Sequence, residues 1–115
     1  LKISVLGVPY TVRCVLSSKD KHLEDCDGYC DTSTKTIMVR DYTEEERREV
    51  DALRDLDAYK HKCMRHEIVH AFLYESGLSV NALDDGPWAT NEEMVDWLAI
   101  QGPKLHAAWI AAKCL

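Results

Sequence analysis

The run Arg65-His66-Glu67-Ile68-Val69-His70-Ala71-Phe72 constrains this chain more than any other stretch. Two histidines four residues apart share a face only if the backbone is helical, because an α-helix turns about 100° per residue. Both imidazoles then aim at one point, while Glu67 leaves the helix about 100° away from His66. Such an H-E-x-x-H turn offers a metal ion two nitrogen ligands. It also supplies a carboxylate that misses the ion yet reaches a water on it. The plainer reading is a pair of helix histidines satisfied by their neighbours, and the rest of the sequence has to decide between the two.

Two histidines do not hold a catalytic zinc ion, which takes a third protein ligand from a separate element and keeps a fourth position for water. The segment Thr90-Asn91-Glu92-Glu93-Met94-Val95-Asp96 is the source. Glu92 and Asp96 fall on one face of a predicted helix, so Glu92 can ligate while Asp96 accepts a hydrogen bond from the other ring nitrogen of His66. That bond would fix the tautomer and the ring orientation. Glu93 is the rival ligand, but a Thr90/Glu93 capping box would already occupy it.

At 115 residues and 13.1 kDa the chain reads as one domain, 1–115, with room for a single core. Fourteen basic against twenty acidic residues give a formal charge of -6, with acids clustered from Asp41 to Glu49 and at Asp84-Asp85. No basic stripe is present to neutralise phosphates, so nucleic acid is excluded as a partner. No run of about eighteen apolar residues occurs, and "LKISVLGVPYTVRCV" lacks the basic and apolar blocks of an export signal. The expectation is a cytoplasmic protein with no membrane partner. Five cysteines (Cys14, Cys26, Cys30, Cys63 and Cys114) cannot all pair, which favours a reducing compartment with Cys63 as a buried thiol. "CDGYC" leaves two other readings open: a structural zinc shared with His22, or one disulfide flanking a turn.

Along the chain, "KISVL" and "YTVRCV" around Gly7-Val8-Pro9 predict a hairpin, and Ile37 to Val39 a third strand after a turn through 31–34. Thr43 and Glu46 form a capping box that starts a helix at Glu44, with Val50, Leu53 and Leu56 as its apolar stripe. A break near 56–58 separates it from the helix carrying His66 and His70, which ends at Ser76-Gly77. Residues 78–90 read as a loop that includes Asn81, Asp84-Asp85-Gly86-Pro87 and Trp88, and that either shapes specificity or merely connects. The next helix presents Met94, Trp97, Leu98 and Ile100. Gly102-Pro103 interrupts it, and a final helix packs Leu105, Trp109 and Ile110. The three tryptophans read as packing residues. The sum is an α+β fold: a small three-stranded sheet, made of the hairpin plus one edge strand, on three or four helices.

His66, Glu67, His70, Glu92 and Asp96 together match the pattern of the gluzincins, H-E-x-x-H followed on a later helix by E-x-x-x-D. The chain resembles that group, and the resemblance implies a minimal zincin-like domain. It further implies zinc held by His66, His70 and Glu92, with Asp96 behind His66. From Gly28 to about Ile100 it also looks like the small metallopeptidase-like domains of the ImmA/IrrE type, many of them encoded by phages and mobile elements. Those domains carry asparagine where this chain has Asp96, and phenylalanine where it has Leu98.

The resemblance implies hydrolysis of a peptide bond, with Glu67 as general base taking a proton from water and passing it to the leaving amine. A polypeptide substrate would add as a strand beside residues 35–40. Oxyanion donors would come from His106 or Tyr74, with His61 and Tyr42 also available, and no spacing selects one. Three alternatives stay open: an inactive zinc-stabilised binding or regulatory module, a hydrolase of a small amide or cell-wall peptide, and an antirepressor-like protein.

Overall fold

The computed structural model describes residues 1–79 and 88–115, apart from the side chain of Trp109. The expected hairpin forms from β1 (Lys2–Val5) and β2 (Val8–Leu16), paired antiparallel with Val5 opposite Val8. Its turn is Leu6-Gly7 rather than Gly7-Val8-Pro9. Both turn residues have positive φ, 49° and 86°, the hand that matches strand twist in a two-residue hairpin. Short 3-10 turns at Ser17–Lys19 and Lys21–Glu24 then lead to β3 (Gly28–Asp31) and β4 (Thr36–Asp41).

The sheet has four strands in the order β1-β2-β4-β3. β4 pairs parallel with β2 and antiparallel with β3, so the segment 35–40 expected at the edge is interior and β3 takes the edge. "GYCD" shows neither alternation nor β-branched residues, and it becomes a strand only because β4 supplies a ladder for it. Asp31 closes the intervening turn by accepting from the backbone N–H of Ser33 at 2.9 Å and of Thr34 at 3.3 Å.

The Thr43/Glu46 capping box is present, but the helix it opens, α1 (Glu44–Arg47), lasts one turn. Val50 and Leu53 are exposed and form no stripe. The break comes before the expected 56–58, because Asp55 caps a new helix, α2 (Leu56–Glu75), by accepting from the Ala58 N–H at 2.8 Å. Gly77, at φ +82°, provides the left-handed residue that ends it. One face of the sheet, including Val5, Tyr10, Val12, Ile37 and Val39, packs on Cys63 and Ala71 of α2 to make the core.

A 3-10 turn at Trp88–Thr90 precedes α3 (Glu92–Ala111). The cap of α3 is Asn91, which accepts from the Met94 N–H at 2.8 Å, so Glu92 and Glu93 are the first two helical residues and the expected Thr90/Glu93 box is not used. Val95 and Ala99 are its buried residues, while Trp97 and Ile100, expected inward, are exposed. Gly102-Pro103 does not interrupt the helix. Proline at 103 cannot donate to the Ala99 carbonyl, and Arg65 Nε donates to it instead at 2.6 Å. Beyond Pro103, Leu105 is half-buried and Ile110 exposed, so the expected final core helix is the outer end of α3. Trp109's side chain and the turn residues Asn81 and Asp84 to Pro87 lie outside the described residues. No helix among the described residues is long and apolar enough to cross a membrane.

Candidate metal centre

α2 and α3 pack together with their polar contacts running in opposite directions: His70 meets Glu92, His66 meets Glu92 and Asp96, and Lys62 meets Asp96. Helical spacing on each side does this, since Lys62, His66 and His70 recur every four residues on α2 and Glu92 and Asp96 do so on α3. His66 Nε2 lies 2.9 Å from Glu92 Oε2, His70 Nε2 lies 3.2 Å from Glu92 Oε1, and the two Nε2 atoms are 3.0 Å apart. Among the described residues this trio is the group whose ligand atoms converge, all within 4.8 Å of one another. Cys26, Cys30 and His22 make no such group, and Cys14, Cys26, Cys30 and Cys63 are not in disulfides.

The donor chemistry fits a cation. His66 Nδ1 is 2.8 Å from Asp96 Oδ1, an acceptor, so in the neutral ring the proton sits on Nδ1 and Nε2 presents a lone pair. That lone pair faces a carboxylate oxygen and another imidazole nitrogen, an arrangement of acceptors that a positive charge between them stabilises. A tetrahedral zinc ion with bonds of about 2.05 Å separates its ligand atoms by about 3.3 Å, close to the spacing found here. Asp96 is held as a carboxylate, its pKa lowered by the Lys62 ammonium at 2.7 Å and by its bond to His66. Burial lowers the pKa of His70, which favours the neutral, ligating ring.

Among the described residues Glu67 is the buried acid, 8% exposed, in a helix that otherwise buries Leu56, Cys63 and Ala71. Burial pushes its pKa up to about 7, with the Glu92 carboxylate adding to the rise and His66 opposing it. A bound cation would pull that value down again. Glu67, His66 and His70 open into a cleft of about 460 Å³ whose other wall is Gly28, Tyr29 and Cys30 of β3. Burial, then the Glu67 charge, pushes the Cys30 thiol up to about 11, so it lines the cleft as a neutral group.

The oxyanion candidates separate. Tyr74 lines the cleft, with the Lys35 ammonium 5.1 Å from its ring centroid. His106 is exposed and stands about 21 Å further along α3 than Glu92. His61 is exposed on α2, and Tyr42 donates to Asp27 Oδ1 at 3.3 Å beside a separate recess. Glu93, the rival ligand, lines a different recess with Trp88 and Trp97.

Sequence reading missed Lys62 and Gly28. Lys62 was legible, because it stands one helical turn before His66 on the same face. Gly28 carried only the general hint that glycine in a strand marks a close approach. A β-carbon there would lie 3.1 Å from Glu67 Cγ and 3.1 Å from the Met38 carbonyl oxygen. The carbonyl belongs to an interior strand and cannot retreat, so the Glu67 side chain is what moves. Gly28→Ala is therefore expected to cost about 1–2 kcal/mol of stability and to lower any turnover about tenfold or more through misplacement of Glu67. Thermal melting and kinetics of the variant check both, and unchanged values would show that the contact relaxes freely.

No protein-family model matches the chain, and no curated protein or solved structure is significantly similar to it. The geometry defines a potential H-E-x-x-H zinc site, consistent in general with a gluzincin-like arrangement.

Proposed function

We propose that the chain is a zinc-dependent hydrolase of peptide bonds, with His66, His70 and Glu92 as ligands and Glu67 as general base. The observation that carries this reading is the joint placement of two histidines, a glutamate from a second helix and a buried glutamate at one cleft. Zinc bound there would supply an acidified water and a Lewis acid for the scissile carbonyl. Glu67, buried beside the ligands at the cleft, takes a proton from the attacking water and returns it to the leaving nitrogen. Lys62 and Asp96 hold His66 in one tautomer, and Tyr74 is the group from which an oxyanion bond is drawn.

A polypeptide is the proposed substrate. Among the described residues β3 is an edge strand, paired on one side only, and it contributes Gly28, Tyr29 and Cys30 to the cleft wall, so an extended peptide adding there passes the metal ligands. This moves the substrate strand from β4 to β3 and keeps the mode of binding. The gluzincin and ImmA/IrrE-type resemblances belong to this proposal and rest on the same five residues.

The test is metal content by plasma mass spectrometry, followed by incubation of zinc-loaded protein with a diverse peptide library and detection of new peptide ends. One zinc per chain with new ends is the expected result. No zinc after reconstitution removes the reading altogether, whereas zinc without cleavage returns the chain to the class of zinc-stabilised binding modules.

A further inference from the structure

Glu92 has little of its own to hold it. It is the first residue of α3, its side chain is 68% exposed, and its ion-pair contacts are to the two histidines it would join as a ligand. Its position therefore follows from where α3 lies along α2. The buried residues of α3 near the site are Val95 and Ala99, and an alanine has no side chain beyond Cβ to resist sliding. Val95 alone gives that packing a shaped side chain, so directional bonds add to what sets the register. A slip of one residue carries a helical side chain about 1.5 Å along the axis and about 100° around it.

Two of those bonds run through the Asp96 side chain, from Lys62 and His66. A third grips the backbone: Arg65 Nε donates to the Ala99 carbonyl at 2.6 Å. That carbonyl is available because residue 103, its ordinary intrahelical partner, is proline. Ala99 lies about two turns from Glu92 on the same face of α3, and Arg65 immediately precedes His66 on α2. We propose that Arg65 is a positioning residue: through the carbonyl that Pro103 leaves open, it fixes α3 along α2 so that Glu92 meets His66 and His70. Pro103 thereby becomes part of what positions the site. The inference deepens the zinc reading and rests on it for its effect on metal affinity.

The alternative is that Arg65 merely satisfies a buried carbonyl, and a double variant separates the two. In Arg65→Met the Ala99 carbonyl is orphaned. Adding Pro103→Ala supplies an N–H at 103 that satisfies it from within the helix, yet restores no link to α2. Four proteins are compared: wild type, each single variant and the double. Zinc affinity is read by competition with a chromophoric chelator, melting is read on metal-free protein, and the His66 side-chain ¹⁵N shifts in metal-free protein report its bond to Asp96.

Arg65→Met is expected to weaken zinc binding about tenfold and to lower the melting temperature. The double variant is expected to regain the melting temperature while zinc affinity stays about tenfold down and the His66 shifts stay displaced. Recovery of all three in the double variant, or wild-type zinc affinity in Arg65→Met, overturns the proposal. If wild-type protein binds no zinc, the functional reading fails on its own. The His66 shifts then decide: displaced in the double variant, they uphold the register role, and unchanged they refute it.

Discussion

On the proposed function, Glu67→Gln is expected to abolish turnover, to stabilise the metal-free protein at neutral and higher pH, and to leave zinc binding intact. The kinetic part follows from the loss of a positioned base, worth about 10²–10⁴ in rate. The stability part follows from the carboxyl's burial. Its pKa rises from 4.5 to about 7 on folding, so the folded state prefers the protonated form. Below pH 4.5 the acid is neutral in both states and costs nothing extra. Between 4.5 and 7 the unfolded chain ionises first, stability falls, and above 7 the full penalty is present. The neutral amide escapes it, so metal-free Glu67→Gln is expected to exceed wild type by up to about 3 kcal/mol at pH 8 and to converge with it near pH 4. Denaturant titrations of metal-free protein at the two pH values check this. Equal stabilities at pH 8 would mean that Glu67 is solvated, and retained turnover would end its assignment as base.

Glu92→Ala is expected to remove most of the stabilisation that zinc would confer, without harming the metal-free fold. Free zinc at a thousand times its dissociation constant adds about 4 kcal/mol to a protein that binds it only when folded, which for a domain of this size is a rise of roughly 15 °C in Tm. Losing a direct ligand is expected to weaken binding at least as much as the loss of an outer-shell partner, about 100-fold. That reduces the zinc-dependent stabilisation by nearly 3 kcal/mol at the same free zinc. Because Glu92 is exposed, the metal-free variant should melt within about 0.5 kcal/mol of wild type. Calorimetry with and without chelator measures both quantities. A variant that keeps the full zinc shift would take Glu92 out of the ligand set, and Glu93 would not replace it, since it faces another recess.

Zinc here would join two helices that already meet through ion pairs and the Arg65–Ala99 bond. Metal loading should therefore tighten the α2–α3 contact and the cleft in one step, because the ligand trio spans both helices. Buried Glu67 would add to this coupling. The protein gives up stability to bury an acid beside the ligands, and the cation that completes the site also offsets that charge.

The helical periodicity put His66, Glu67 and His70 on one helix, as α2 does, because a four-residue spacing on one helix needs no knowledge of anything else. The same logic paired Glu92 with Asp96. Local chemistry also fixed the hairpin, the Thr43/Glu46 cap and the Gly77 stop, each of which depends on neighbours within a few residues. Three features were decided only by the tertiary structure. β3 became a strand because β4 offered it a ladder, and this moved the sheet edge to the cleft. α3 runs through Pro103, and the Ala99 carbonyl that proline leaves open is taken by Arg65, thirty-four residues from Ala99 in sequence. Glu67 acquired its raised pKa because Gly28 lets β3 close over it. Each of these depends on the free energy of a contact between segments distant in sequence, which no local pattern encodes.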